Sequence, residues 1–142
     1  MKRTSILILL TFLSFSVAQA NQTKHPTLKS VMRDLARAVT TLNNAIFYED
    51  YSAIEAAAHI IANHPKPKGQ LPTVIKTLGP RMKQFKKVDA VVHNSAMSME
   101  NFAKKKDING ILKTQAAMTN SCVACHSQFR KEISKVLAKS NW

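Results

Sequence analysis

The sequence predicts an all-α fold, an antiparallel four-helix bundle, and three features carry that prediction. Four segments place apolar residues at the i, i+3, i+4, i+7 spacing of an amphipathic helix. Most of the turns between them are short, so consecutive helices must lie side by side in opposite directions. No run of alternating β-branched residues competes as a strand, and 142 residues suit one modest domain.

Lys2 and Arg3 precede an apolar stretch at residues 6–17, broken only by Thr11, Ser14 and Ser16, and Ala18, Gln19 and Ala20 have the A-x-A form of a cleavage site. Residues 1–20 therefore read as a cleaved signal peptide, and residues 21–142 as the bundle domain. The apolar stretch is short for a membrane span of about 20 residues, so no integral span is expected after cleavage.

Residues 21–27 are polar, contain Pro26 and lead into helix 1. Thr27 suits an N-cap, and Leu28, Val31, Met32, Leu35, Val39, Leu42 and Ile46 form one stripe that ends near Tyr48. After a turn at Glu49, Asp50 and Tyr51, Ser52 and Glu55 have the form of a capping box. Helix 2 is expected over residues 53–63, with an inward face of Ile54, Ala57, Ala58 and Ile61 that allows close helix approach. Residues 64–72, HPKPKGQLP, hold three prolines and a glycine and read as the one long loop.

A preliminary helical turn is expected at residues 73–78. Gly79 and Pro80 then open helix 3, whose stripe is Met82, Phe85, Val88, Val92, Ala96, Met99 and Phe102. Lys104, Lys105 and Lys106 suit its C-terminus. Asp107 is the expected N-cap of helix 4, with a face of Ile108, Ile111, Leu112, Cys122, Cys125, His126, Phe129, Ile133 and Val136. Gly110 is expected to weaken its first turn.

Within helix 4, residues 122–126 read C-x-x-C-H, the signature of covalent c-type haem attachment. Two thiols add to the two haem vinyl groups as thioethers, and one imidazole binds iron from the same side. Positions i, i+3 and i+4 share a helix face, so Cys122, Cys125 and His126 can all address one flat macrocycle. A thioredoxin-like dithiol would need a strand leading into the motif, and a structural zinc site would need a second ligand pair. The chain has neither a strand signal nor any other cysteine. Export into an oxidising compartment agrees with a motif that consumes both thiols, which points to a bacterial periplasm. The expected architecture is thus a four-helix bundle with one covalently bound haem c.

An iron held by His126 has a sixth position on its opposite face. Met32 lies in the stripe of helix 1, where a thioether is either a soft iron ligand or core packing, and position alone leaves both open. Met82, Met97, Met99 and Met118 read as packing. His25, His59, His64 and His93 stand at no stripe centre. Arg130, one turn after His126, could meet a haem propionate or be a solvated base beside Lys131 and Lys135.

Lysine and arginine number 21 against 8 acidic residues, a formal +13, and removing Lys2 and Arg3 leaves +11. Such a chain is drawn to acidic surfaces, in encounters that weaken with salt. Without a recognised nucleic-acid motif, an acidic redox partner protein or an anionic membrane surface is expected rather than nucleic acid. A second carboxylate–histidine constellation, a glycine-rich phosphate loop and a serine nucleophile motif are all missing, so catalysis is not expected.

The 120–130 block, NSCVACHSQFR, with its arginine one turn after the histidine, and the opening of helix 1, LKSVMRDL at 28–35, resemble the class II cytochromes c, the cytochrome c-prime family. The resemblance covers essentially residues 21–142. It implies an electron-carrying haem protein of the family's low-spin, six-coordinate branch, in which Met32 stands at the place of the distal iron ligand. The high-spin branch leaves that face without a ligand and binds small gases such as nitric oxide or carbon monoxide. Many members are homodimers through their first two helices.

Overall fold

The computed structural model describes residues 25–138, and the expected signal peptide, residues 1–20, lies outside them. The described residues form an all-α bundle with no strand. None of their helices is long and apolar enough to cross a membrane.

Helix α1 spans Leu28–Phe47, capped by Thr27, whose hydroxyl accepts the Ser30 N–H at 3.1 Å. It buries Val31, Ala38, Leu42, Ala45 and Ile46. Helix α2 spans Tyr51–Ala62 and buries Ile54, Ala57, Ala58 and Ile61, the expected inward face, whose two alanines bring it close to its neighbours. Its cap is Asp50 rather than Ser52. Glu49 adopts a left-handed φ of 52°, which reverses the chain early and delivers the Asp50 carboxylate to the Ala53 N–H at 3.0 Å.

The same corner recurs before the last long helix. Lys106 has φ 54°, and the Asp107 carboxylate accepts the Gly110 N–H at 3.0 Å. In both corners the aspartate N–H returns to a carbonyl five residues back, Asp50 to Ala45 at 2.9 Å and Asp107 to Phe102 at 3.0 Å, closing a Schellman motif around a residue that is not glycine.

Helix α3, Leu71–Leu78, takes over the end of the expected loop, because Pro72 falls in a first helical turn that needs no N–H from it. The Gln70 side-chain oxygen, at the start of α3, accepts the Leu28 N–H at 2.6 Å and so ties down the beginning of α1. Gly79, at φ 51° and ψ −128°, opens a 3-10 turn over Gly79–Arg81, and α4 follows as Met82–Lys104.

Helix α5, Ile108–Cys125, does not run unbroken through Val136 as expected. It passes through a π-turn at His126–Arg130 into α6, Lys131–Ala138. A step of four residues overshoots an α-helical turn by about 40°. From Ser121 the inward positions fall at Cys125, Phe129, Ile133 and Leu137, four such steps, and the wider π-turn takes up the drift.

The face of α5 also differs from expectation near its start: Leu112 is exposed and Met118 is buried. Leu112 lies ten residues before Cys122, about 80° round the helix, whereas Met118 is only about 40° away. Gly110 has a positive role, since an added Cβ would come within 2.4 Å of the Phe102 ring of α4.

The core divides into two clusters. The larger joins α1, α2, α4 and α5 around Leu42, Ile54, Ile61, Met99, Ile111 and Met118. The smaller joins α3, the first half of α4, the π-turn and α6 around Val74, Leu78, Val88, Phe129, Ile133 and Leu137. Ser121 links α5 to α4 by donating to the Val88 carbonyl at 2.7 Å, and Gln115 donates to Asn43 at 2.9 Å between α5 and α1.

Candidate cofactor site

A cavity of about 1040 Å³ opens between the start of α1, the first half of α4 and the run from the end of α5 through the π-turn to α6. That size is at the upper end for sites that take a whole organic cofactor. Leu28, Phe85, Phe129 and Ile133 supply apolar wall. The Phe85 and Phe129 rings meet edge to face, 5.5 Å between centroids, and join the wall to the smaller core cluster.

Two distant parts of the sequence face this space. The Thr27 cap sets the phase of α1 so that Leu28, Lys29, Met32 and Arg33 line one side. Cys125, the last residue of α5, with His126 and Arg130, the first and last of the π-turn, line the other. Met32 is 38% exposed, turned from the buried stripe of α1 toward the cavity. His126 and Arg130 are exposed and Cys125 is half-buried.

Cys122 is also half-buried, but it packs against the larger core cluster and is not among the lining residues. Four of the five residues singled out from the sequence therefore share the cavity, and the fifth stands one turn back. Met32 is the one methionine among the lining residues. Met99 and Met118 are buried in the larger cluster, Met82 packs against the smaller one, and Met97 is exposed.

The rim is basic, with Lys29, Arg33 and Arg130 against a single lining carboxylate, Asp89. Both thiols are free. Burial first, then the Asp89 carboxylate and Cys122, push the Cys125 thiol up to about 11, and burial pushes Cys122 up as well. Thiol–disulfide chemistry calls for the opposite, a thiolate stabilised near neutral pH.

Lys29, Arg33, Phe85 and Asp89 were not foreseen as site residues. Their signal was spacing. Lys29 and Arg33 flank Met32 on α1 four residues apart, and Asp89 follows Phe85 by four on α4, so each pair shares a face.

Beside the cavity, Asp89 also meets a second polar group, His64 and His93. Burial, followed by the neighbouring His93, lowers the pKa of His64. Neither histidine lines the cavity. His59, on the exposed side of α2, instead pairs with Glu100 at 3.4 Å.

The residues present fit a haem on the chemistry of the donor set. An imidazole and a thioether face one apolar space, a thiol lines it, and cations at the rim suit carboxylates. No family model, curated protein or solved structure matches the chain.

Proposed function

We propose that the protein is an exported, periplasmic c-type cytochrome that carries electrons: an antiparallel four-helix bundle in which Cys122 and Cys125 would hold one haem c and His126 and Met32 would bind its iron. One observation carries the reading, namely that Met32 on α1 and His126 at the head of the π-turn line a single cavity. When bound, the haem supplies an iron that exchanges one electron between its ferric and ferrous states.

The chain's own residues do the rest. Leu28, Phe85, Phe129 and Ile133 give the site an apolar wall that lowers its dielectric. Arg130, Arg33 and Lys29 offer charge-assisted hydrogen bonds to the propionates. Without Lys2 and Arg3 the chain carries +11, which favours partner proteins with acidic docking surfaces and encounters that slow as salt is added. No proton transfer or nucleophile is required of any residue.

Half-exposure of Met32 supports a second reading, a five-coordinate cytochrome that binds nitric oxide or carbon monoxide under a methionine that covers the iron without bonding it. Visible spectroscopy on protein made with haem-maturation machinery decides. The electron carrier gives a low-spin reduced form that ignores carbon monoxide, and Met32→Ala converts it to a high-spin form that binds the gas at once. A high-spin wild type selects the second reading. A mature protein without the mass of a haem, its two thiols free, defeats both.

A further inference from the structure

A second site lies on the far side of Asp89. Asp89 and His93 stand four residues apart on one face of α4, and His64 reaches them from the segment that follows α2. One ring nitrogen from each histidine and one carboxylate oxygen all lie within 4.8 Å of one another, and the two rings are 4.7 Å apart between centroids.

Two polar contacts there are incomplete. His93 Nδ1 lies 2.7 Å from the Ala62 carbonyl, which can only accept, so Nδ1 carries the proton and donates it. In the neutral ring Nε2 then presents a lone pair toward the Asp89 carboxylate 3.7 Å away, acceptor facing acceptor. His64 Nδ1 is buried and has no hydrogen-bond partner among the described residues. A cation between the three groups would be held by one ring nitrogen of each histidine and by the carboxylate.

We propose that His64, Asp89 and His93 form a binding site for a divalent transition metal, zinc being the reference ion. Imidazole donors favour zinc, copper or nickel over calcium or magnesium, which take oxygen cages. The Ala62 carbonyl behind His93 is the outer partner that fixes a metal-binding histidine in its tautomer. Tetrahedral zinc holds its ligand atoms about 3.3 Å apart, so closure asks for movements of about 1 Å, within the reach of side-chain torsions. Three protein ligands leave a fourth position for water. The site uses neither thiol nor His126 and shares only Asp89 with the haem cavity.

The test is calorimetric titration of the purified, chelator-treated protein with zinc chloride, followed by X-ray absorption at the zinc edge. The expected result is one saturable equivalent bound through two imidazoles and an oxygen. His64→Ala and the near-isosteric Asp89→Asn each weaken binding at least tenfold, and His59→Ala leaves it unchanged. A titration without saturable binding overturns the proposal, as does equal affinity in wild type, His64→Ala and Asp89→Asn, or loss of binding with His59→Ala alone.

Discussion

Cys125 holds its proton because burial, the Asp89 carboxylate and the second thiol each oppose a thiolate. In the unfolded chain the group titrates near 9.0, in the folded chain at about 11. Folding therefore favours the protonated thiol. The associated stability is intact below pH 9 and drains away as pH rises toward 11. With the thiol only about half buried, solvent screening limits the loss to about 1–2 kcal/mol. Urea unfolding of the haem-free chain at pH 8 and pH 10.5 should show this loss, and Cys125→Ser should be flatter by that amount, a comparison that cancels every contribution common to both chains. Identical slopes would mean that the thiol is solvated in the folded state. Met32 is the residue on which the proposed electron-carrier reading turns, because it lines the same cavity as His126.

At the scale of the element, the two Schellman corners place a glutamate and a lysine where glycine is normally preferred. A left-handed residue with a Cβ costs about 1 kcal/mol. Lys106→Gly should recover part of that, raising stability by about 0.5–1 kcal/mol in urea titration, since Lys106 is exposed and the corner's hydrogen bonds are made by the backbone. A destabilised variant would show that the lysine side chain contributes to the corner.

These corners also mark how far the sequence could be read. The Thr27 and Asp107 caps were legible, because each precedes an apolar stripe with no rival polar residue in the right place. Asp50 was not, because Ser52 with Glu55 offered a competing box two residues later, and only the backbone reversal at Glu49 chooses between them. C-x-x-C-H was legible as a string with its own chemistry. The π-turn that begins at its last residue was written only as a succession of four-residue steps, which look like an ordinary helix until their drift is added up. Asp89 was hidden for a different reason: half-buried acidic positions on a long helix gain meaning only from what the neighbouring segments bring, here His64 on one side and Cys125 on the other.

Over the whole molecule, the division of the core has a thermodynamic counterpart. The larger cluster draws on four helices, whereas the smaller rests on α3, α6, the π-turn and the beginning of α4. Fewer buried side chains mean a smaller opening free energy. Native-state hydrogen exchange on the haem-free chain should find the amides of α3 and α6 opening at least tenfold more readily than those around Leu42 and Met99. A single common rate would show that the clusters open together.

The two thiols sit on either side of this division, Cys122 against the larger cluster and Cys125 against the smaller. A rigid group bonded to both would act as a rivet across a seam. Neither half could then open without straining the other, and two cooperative units would become one. Covalent attachment would thus change how the molecule comes apart, independently of what the attached group does.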